Sequence, residues 1–127
     1  MVVGTARVVF AIPGASSLKD KRSVVRRVTE RARARFNAAI AEVDDQDVHR
    51  RAVIGVAVVS SDARHATSML DTILAAMASS TDARMVSRET SVQRLGEHDF
   101  VTSAESIAAD AIRLPGENDP WEDPDSG

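Results

Sequence analysis

The run Ala52–Ser60, A-V-I-G-V-A-V-V-S, is apolar on both parities. A strand with one wetted face alternates apolar and polar residues; one that does not must sit where both faces are covered, in the middle of a sheet. A chain holding such a strand has to supply neighbours on both sides of it and a helical layer above it.

The segment Val2–Ile12 supplies one neighbour. Val2, Gly4, Ala6, Val8, Phe10 and Ile12 share one parity, and Val3, Thr5, Arg7, Val9 and Ala11 share the other. Phe10 and Ile12 mark the first parity as the core face. Pro13-Gly14 ends the strand. Ser17 stands three residues before Asp20, a capping-box-like spacing with Asp in place of Glu. The helix that follows keeps Leu18, Val24, Val25, Val28, Ala32 and Phe36 in one sector at 100° per residue. Lys21 falls on that apolar sector, in the first turn, where its stem can reach outward to water.

Ala38–Val43 reads as a short strand, followed by the acidic turn Asp44-Asp45-Gln46-Asp47. Asp62 reads as the N-cap of a helix over Ala63–Ser79, in which Ala66, Met69, Leu70, Ile73 and Met77 recur at helical spacing. Arg84–Gln93 is a polar last strand with Val86, Arg88, Thr90 and Val92 on one parity. The order is β-α-β-β-α-β. Two right-handed crossovers within one antiparallel sheet predict an α+β, ferredoxin-like sandwich over residues 1–93, with the first and third strands central and both helices on one face. Residues 94–127 form an acidic C-terminal extension. A short helix is expected over 100–114, and the Pro-rich remainder is expected to be disordered.

Charge is distributed unevenly. Between Lys19 and Arg35 lie eight cations and two anions, Asp20 and Glu30. Residues 1–93 carry a net +4 and residues 94–127 a net −7. A basic body points to an anionic partner, and the tail is expected to compete for the same basic face or to act as a solubiliser. The chain has no cysteine, which excludes disulfides, thiolate nucleophiles and cysteine-ligated zinc. Met1-Val-Val-Gly lacks a basic n-region, and no stretch approaches the roughly 20 apolar residues of a membrane span. A cytoplasmic location is expected.

Four chemistries compete for these residues. The helix start, with Ser16, Ser17, Lys19, Lys21 and Arg22, offers backbone N–H groups and cations to a phosphate. With Arg26 and Arg33 it makes an expected RNA-binding set; the alternative is plain helix capping beside a solvated basic face. Acylphosphatases share the fold and hold an anion in the first loop, but Pro-Gly-Ala-Ser-Ser brings no loop arginine, and Asn37 has no motif around it. An RNA-recognition motif stacks bases on aromatics of the first and third strands; those positions hold none here. Glu42, Asp44, Asp45 and Asp47 lack the glycine and terminal glutamate of a calcium loop and are expected to be solvated or paired with Arg50 and Arg51. His49, His65 and His98 have no ligand spacing. No catalytic residue, metal or cofactor is expected.

The blocks I-P-G-A-S-S-L-K-D-K-R, R-F-N, A-E-V-D-D-Q-D and R-A-V-I-G-V-A-V-V-S resemble the YlxP-like family, small bacterial proteins of unknown function. The resemblance covers roughly residues 1–93. It implies a ferredoxin-like fold and a setting near translation genes, since members are often encoded beside translation initiation factor two and ribosome-binding factor A. It implies no activity. The acidic extension departs from the family pattern.

Two functions follow as expectations. One is a non-enzymatic accessory contacting ribosomal RNA or the ribosome through the basic helix. The other is a homodimeric protein-interaction module without nucleic-acid binding, its partner copy covering the open sheet face where Val3, Val9 and one parity of Ala52–Val59 would lie. The Phe100–Leu114 segment is a second possible cover.

Overall fold

Val8 and Ile54 face each other across the two middle strands, and both are essentially withdrawn from solvent. They belong to a computed structural model that describes residues 1–80 and 82–96. The elements are β1 (Val2–Ala11), α1 (Leu18–Arg35), β2 (Ala39–Asp44), β3 (Arg51–Ser60), α2 (Ala63–Ala78) and β4 (Arg84–Arg94). The sheet order is β2-β3-β1-β4, with every neighbouring pair antiparallel. Each helix therefore carries the chain over one intervening strand. This is the ferredoxin-like α+β arrangement, and β1 and β3 are central as their apolar content requires.

The core lies between the sheet and the helices. Ala6, Val8 and Phe10 of β1 and Ala52, Ile54, Val56 and Val58 of β3 form its floor. Val25, Val28 and Ala32 of α1 and Ala66, Leu70, Ile73, Leu74 and Met77 of α2 form its roof. Among the described residues Phe10 is the one fully buried aromatic, so stability comes from many aliphatic side chains, each contributing about 1.5–3 kcal/mol when fully buried. Gly4 lies where α2 presses closest. A Cβ there would stand 3.0 Å from both Leu70 Cδ1 and Val58 Cγ2.

The two helix starts follow local chemistry. Ser17 caps α1, its hydroxyl accepting from Asp20 N, and Asp62 caps α2, its carboxylate accepting from Arg64 N. Residues Met1–Arg94 form one compact unit. Arg94, the first residue of the expected acidic tail, is the last of β4, and the helix expected over 100–114 lies with the rest of the tail from residue 97 onward outside the described residues.

The last strand departs from simple alternation. The register shifts between Val9 and Phe10, so Met85 rather than Val86 stands opposite Phe10. Val86 loses the parity it shares in sequence with Arg88, Thr90 and Val92, and is exposed. A bulge of this kind re-aims side chains without breaking the ladder.

The face turned away from the helices is mixed. Val9 and Val53 are register partners there, and both are buried, at 6% and 0% exposure. Val9 is therefore not part of an exposed patch. Val59, on the same parity, is 62% exposed. Arg7 bridges the strands between these regions: its Nε is 3.3 Å from Asp44 of β2 and its Nη1 is 3.6 Å from Glu89 of β4. Gly55, opposite Arg7 on the intervening strand, leaves its place on this face to Val43, whose Cγ1 would stand 3.0 Å from a Cβ there.

Candidate nucleic-acid interface on the first helix

Helix α1 begins with its own anion in place. Asp20 Oδ2 accepts from Ser16 N at 3.0 Å and from Ser16 Oγ at 2.6 Å, while Asp20 N donates to Ser17 Oγ at 3.1 Å. The carboxylate thus accepts from the residue before the cap, one residue further back than the N-cap N–H that the Glu of a standard capping box takes. The Ser16 hydroxyl bond, followed by the Ser16 backbone bond, holds the Asp20 carboxyl below its ordinary value. A helix N-terminus attracts anions, but here a phosphate would meet a resident carboxylate. Ser16 and Ser17 act as capping residues.

Lys21 corrects the expectation that its head reaches water. It is 1% exposed. Its Nζ lies 2.7 Å from Glu42 Oε2 and donates to the Asp45 carbonyl at 2.5 Å. The approach to Oε2 is ionic rather than an aligned hydrogen bond, so that buried oxygen has a charge partner without a directional donor. The inward route exists because Glu42 stands opposite Ile54 and so faces the helices. Asp45 adopts φ 54°, the left-handed region, in the loop that offers Lys21 its carbonyl.

Arg33 is also committed. Its Nε and Nη2 both donate to the Ile40 carbonyl, at 3.0 and 2.5 Å. That carbonyl belongs to an edge strand, so Arg33 ties the C-terminal half of α1 to β2. Arg27 pairs with Asp82 and donates to Ser23 Oγ.

Of the residues expected to bind RNA, Lys19, Arg22 and Arg26 remain. All three are exposed, and among the described residues their charged groups make no ion pair or hydrogen bond. With Ser23, Arg27 and Glu30 they line one shallow depression. Spacings of three and four residues stack them on one helix flank at intervals of about 5–6 Å.

The acidic turn is largely absorbed by cations. Glu42 meets Lys21, Asp44 meets Arg7, and Asp45 Oδ2 is 3.0 Å from Arg51 Nε. Arg51 was an expected partner; Lys21 and Arg7 were not. Among the described residues no three His, Asp or Glu side chains are grouped to hold a metal. His65 Nδ1 lies 3.0 Å from Ser60 Oγ, and His98 lies outside the described residues. No helix among the described residues is long and apolar enough to cross a membrane.

The signal for the buried pair was available in the chain. Lys21 sits on the apolar sector of its helix, and Glu42 shares strand parity with Ile40, which is buried. Two opposite charges at core-facing positions are best satisfied by each other.

Residues 3–90 match the family model described as "Protein of unknown function (DUF503)". The uncharacterised protein YlxP of Bacillus subtilis (strain 168) is 36% identical over 74 residues, covering 58% of this chain and 80% of the relative. The match agrees with the resemblance carried by the S-L-K-D-K-R and A-E-V-D-D-Q-D blocks, and it falls within the compact unit that contains both helices. The chain belongs to the DUF503 family of proteins of unknown function.

Proposed function

We propose that this protein is a non-enzymatic accessory that binds RNA, ribosomal RNA foremost, through Lys19, Arg22 and Arg26. The observation that carries the reading is their state: three exposed cations on one helix flank that make no ion pair or hydrogen bond among the described residues, Lys19 acting on Asp20 only through a weak charge interaction, beside cations of the same helix that are committed to the fold. Charged groups engaged in no ion pair or hydrogen bond are free to neutralise phosphates. Such contacts give affinity without sequence readout. Three of them correspond to a fall of about 2–3 log units in affinity per log unit of salt.

The test is the Lys19→Glu/Arg22→Glu/Arg26→Glu variant in a filter-binding assay with ribosomal RNA at low salt. Loss of retention with an unchanged circular dichroism spectrum is expected. Unchanged retention overturns the reading.

A second reading, a homodimer through the open sheet face, draws on Val59 and Val43, exposed by 62% and 48%. Because Val9 is buried, the probe for that face is Val59→Asp. Light scattering that reports a monomer for the unaltered protein removes this reading.

A further inference from the structure

The C-terminal halves of α1 and α2 leave a groove between them. Its floor is aliphatic, formed by Val28 and Ala32 of α1 and Met77 of α2, with Phe36 closing one end. Its α1 rim carries Arg27, Arg31 and Arg35, each four residues from the next. This row lies on the flank of α1 facing α2; Arg27 also borders the depression of Lys19, Arg22 and Arg26, but Arg31 and Arg35, which carry the argument, do not, so it does not rest on the RNA reading.

The three rim arginines differ in state. Arg27 already holds a carboxylate, that of Asp82. Arg35 stands over the Phe36 ring with its guanidinium carbon 5.1 Å from the centroid, a stack that limits its rotamers. Arg31 is exposed and makes no ion pair or hydrogen bond among the described residues. The rim thus combines one cation shown to accept a carboxylate, one held in place and one unpaired.

We propose that this groove docks an acidic segment of a partner protein, with one apolar side chain seated on Val28, Ala32 and Met77 and carboxylates on Arg31 and Arg35. Three physical points select that occupant. Eight residues of helix extend the cationic row over about 12 Å, further than one carboxylate or phosphate can serve. An aliphatic floor beside a charged rim is the arrangement that receives an apolar anchor flanked by polar contacts. A nucleobase in the same place would bury its polar edges against Val, Ala and Met without partners, at a cost of a few kcal/mol. The carboxylates belong on the α1 rim because the cations of the lining stand there, whereas the α2 side contributes Ala76, Met77, Ser79 and Ser80 and no charge.

The test uses the full chain and fluorescence anisotropy. The probe is a labelled peptide with one Trp flanked by three Asp on each side. Its controls replace every Asp with Asn, or Trp with Ala. Arg31→Glu is the protein variant, since its side chain holds nothing in the fold; Ala76→Leu, which narrows the groove from the α2 side, is the second. The Asp/Trp peptide is expected to bind, with the Asn peptide, the Ala peptide and Arg31→Glu each weaker by about tenfold or more. The neutral variant Lys19→Gln/Arg22→Gln/Arg26→Gln should change peptide affinity less than threefold. Equal binding of the Asp and Asn peptides, or of the Asp peptide to Arg31→Glu and the unaltered protein, overturns the proposal. So does an RNA 12-mer whose binding is lost in Arg31→Glu while the peptide fails to bind, which would assign the groove to RNA.

Discussion

Lys21 Nζ and Glu42 Oε2 stand 2.7 Å apart between α1 and β2, with Lys21 1% exposed and Glu42 19% exposed. The pair joins the most basic helix to the shortest strand. Removing one member of a buried pair leaves the other charge without compensation, whereas replacing both with apolar groups does not. Lys21→Met should therefore cost about 3 kcal/mol, the lower end of the range for buried pairs, because Glu42 retains some water contact. The Lys21→Met/Glu42→Leu double variant should recover most of that loss. Urea unfolding measures both, and equal destabilisation of the single and double variants would contradict the pairing.

Asp20 makes the fold sensitive to acid. Its folded-state carboxyl is held below the ordinary value of 3.8, first by the Ser16 hydroxyl and then by the Ser16 backbone. A depressed carboxyl contributes stability that is present above its unfolded pKa and lost as pH falls from about 3.8 through the folded value. The melting temperature should therefore fall between pH 4 and pH 2, and part of that fall should vanish in Asp20→Asn. Superimposable acid profiles for the two proteins would show that the cap contributes nothing.

Arg33 and Arg22 should separate stability from binding. Arg33 gives two bonds to the Ile40 carbonyl. Arg33→Ala should lower stability by about 1 kcal/mol, below the usual figure for a charged donor because water can reach this edge strand. Its RNA affinity should stay within about twofold. Arg22→Ala should leave urea unfolding unchanged and weaken RNA binding, with a salt slope shallower by about one unit. The reverse pattern would place the interface on the β2 side of the helix.

Gly4 sets how closely α2 approaches the sheet. A methyl group there would meet Leu70 Cδ1 and Val58 Cγ2 at 3.0 Å and Ala66 Cβ at 3.5 Å. Overpacking a tight core costs about 1–3 kcal/mol, and the reduced freedom of the unfolded chain returns about 0.4–1 kcal/mol. Gly4→Ala should be destabilised by about 1–2 kcal/mol in urea. A gain in stability would mean that α2 can shift to admit the methyl group.

The sequence by itself determined the order of elements, the central place of β1 and β3, and the caps at Ser17 and Asp62. Each of these depends on residues close in the chain: two-residue alternation, 100° helical rotation, or a side chain reaching backbone two or three positions on. The tertiary structure decided the fate of the basic residues. Along α1 they read as one undivided charge, and local spacing cannot show which head finds a partner. Lys21 meets a carbonyl 24 residues away, and Arg27 meets a carboxylate 55 residues away. Even Arg33 needs the chain to turn back on itself before Ile40, seven residues on, lies within reach. Val9 and Val86 show the same limit on the sheet, where burial and a register shift override parity. The reason is common to all of them: a hydrogen bond or ion pair between distant residues forms only once packing has brought the two together, and only then is it settled which charges remain for a partner.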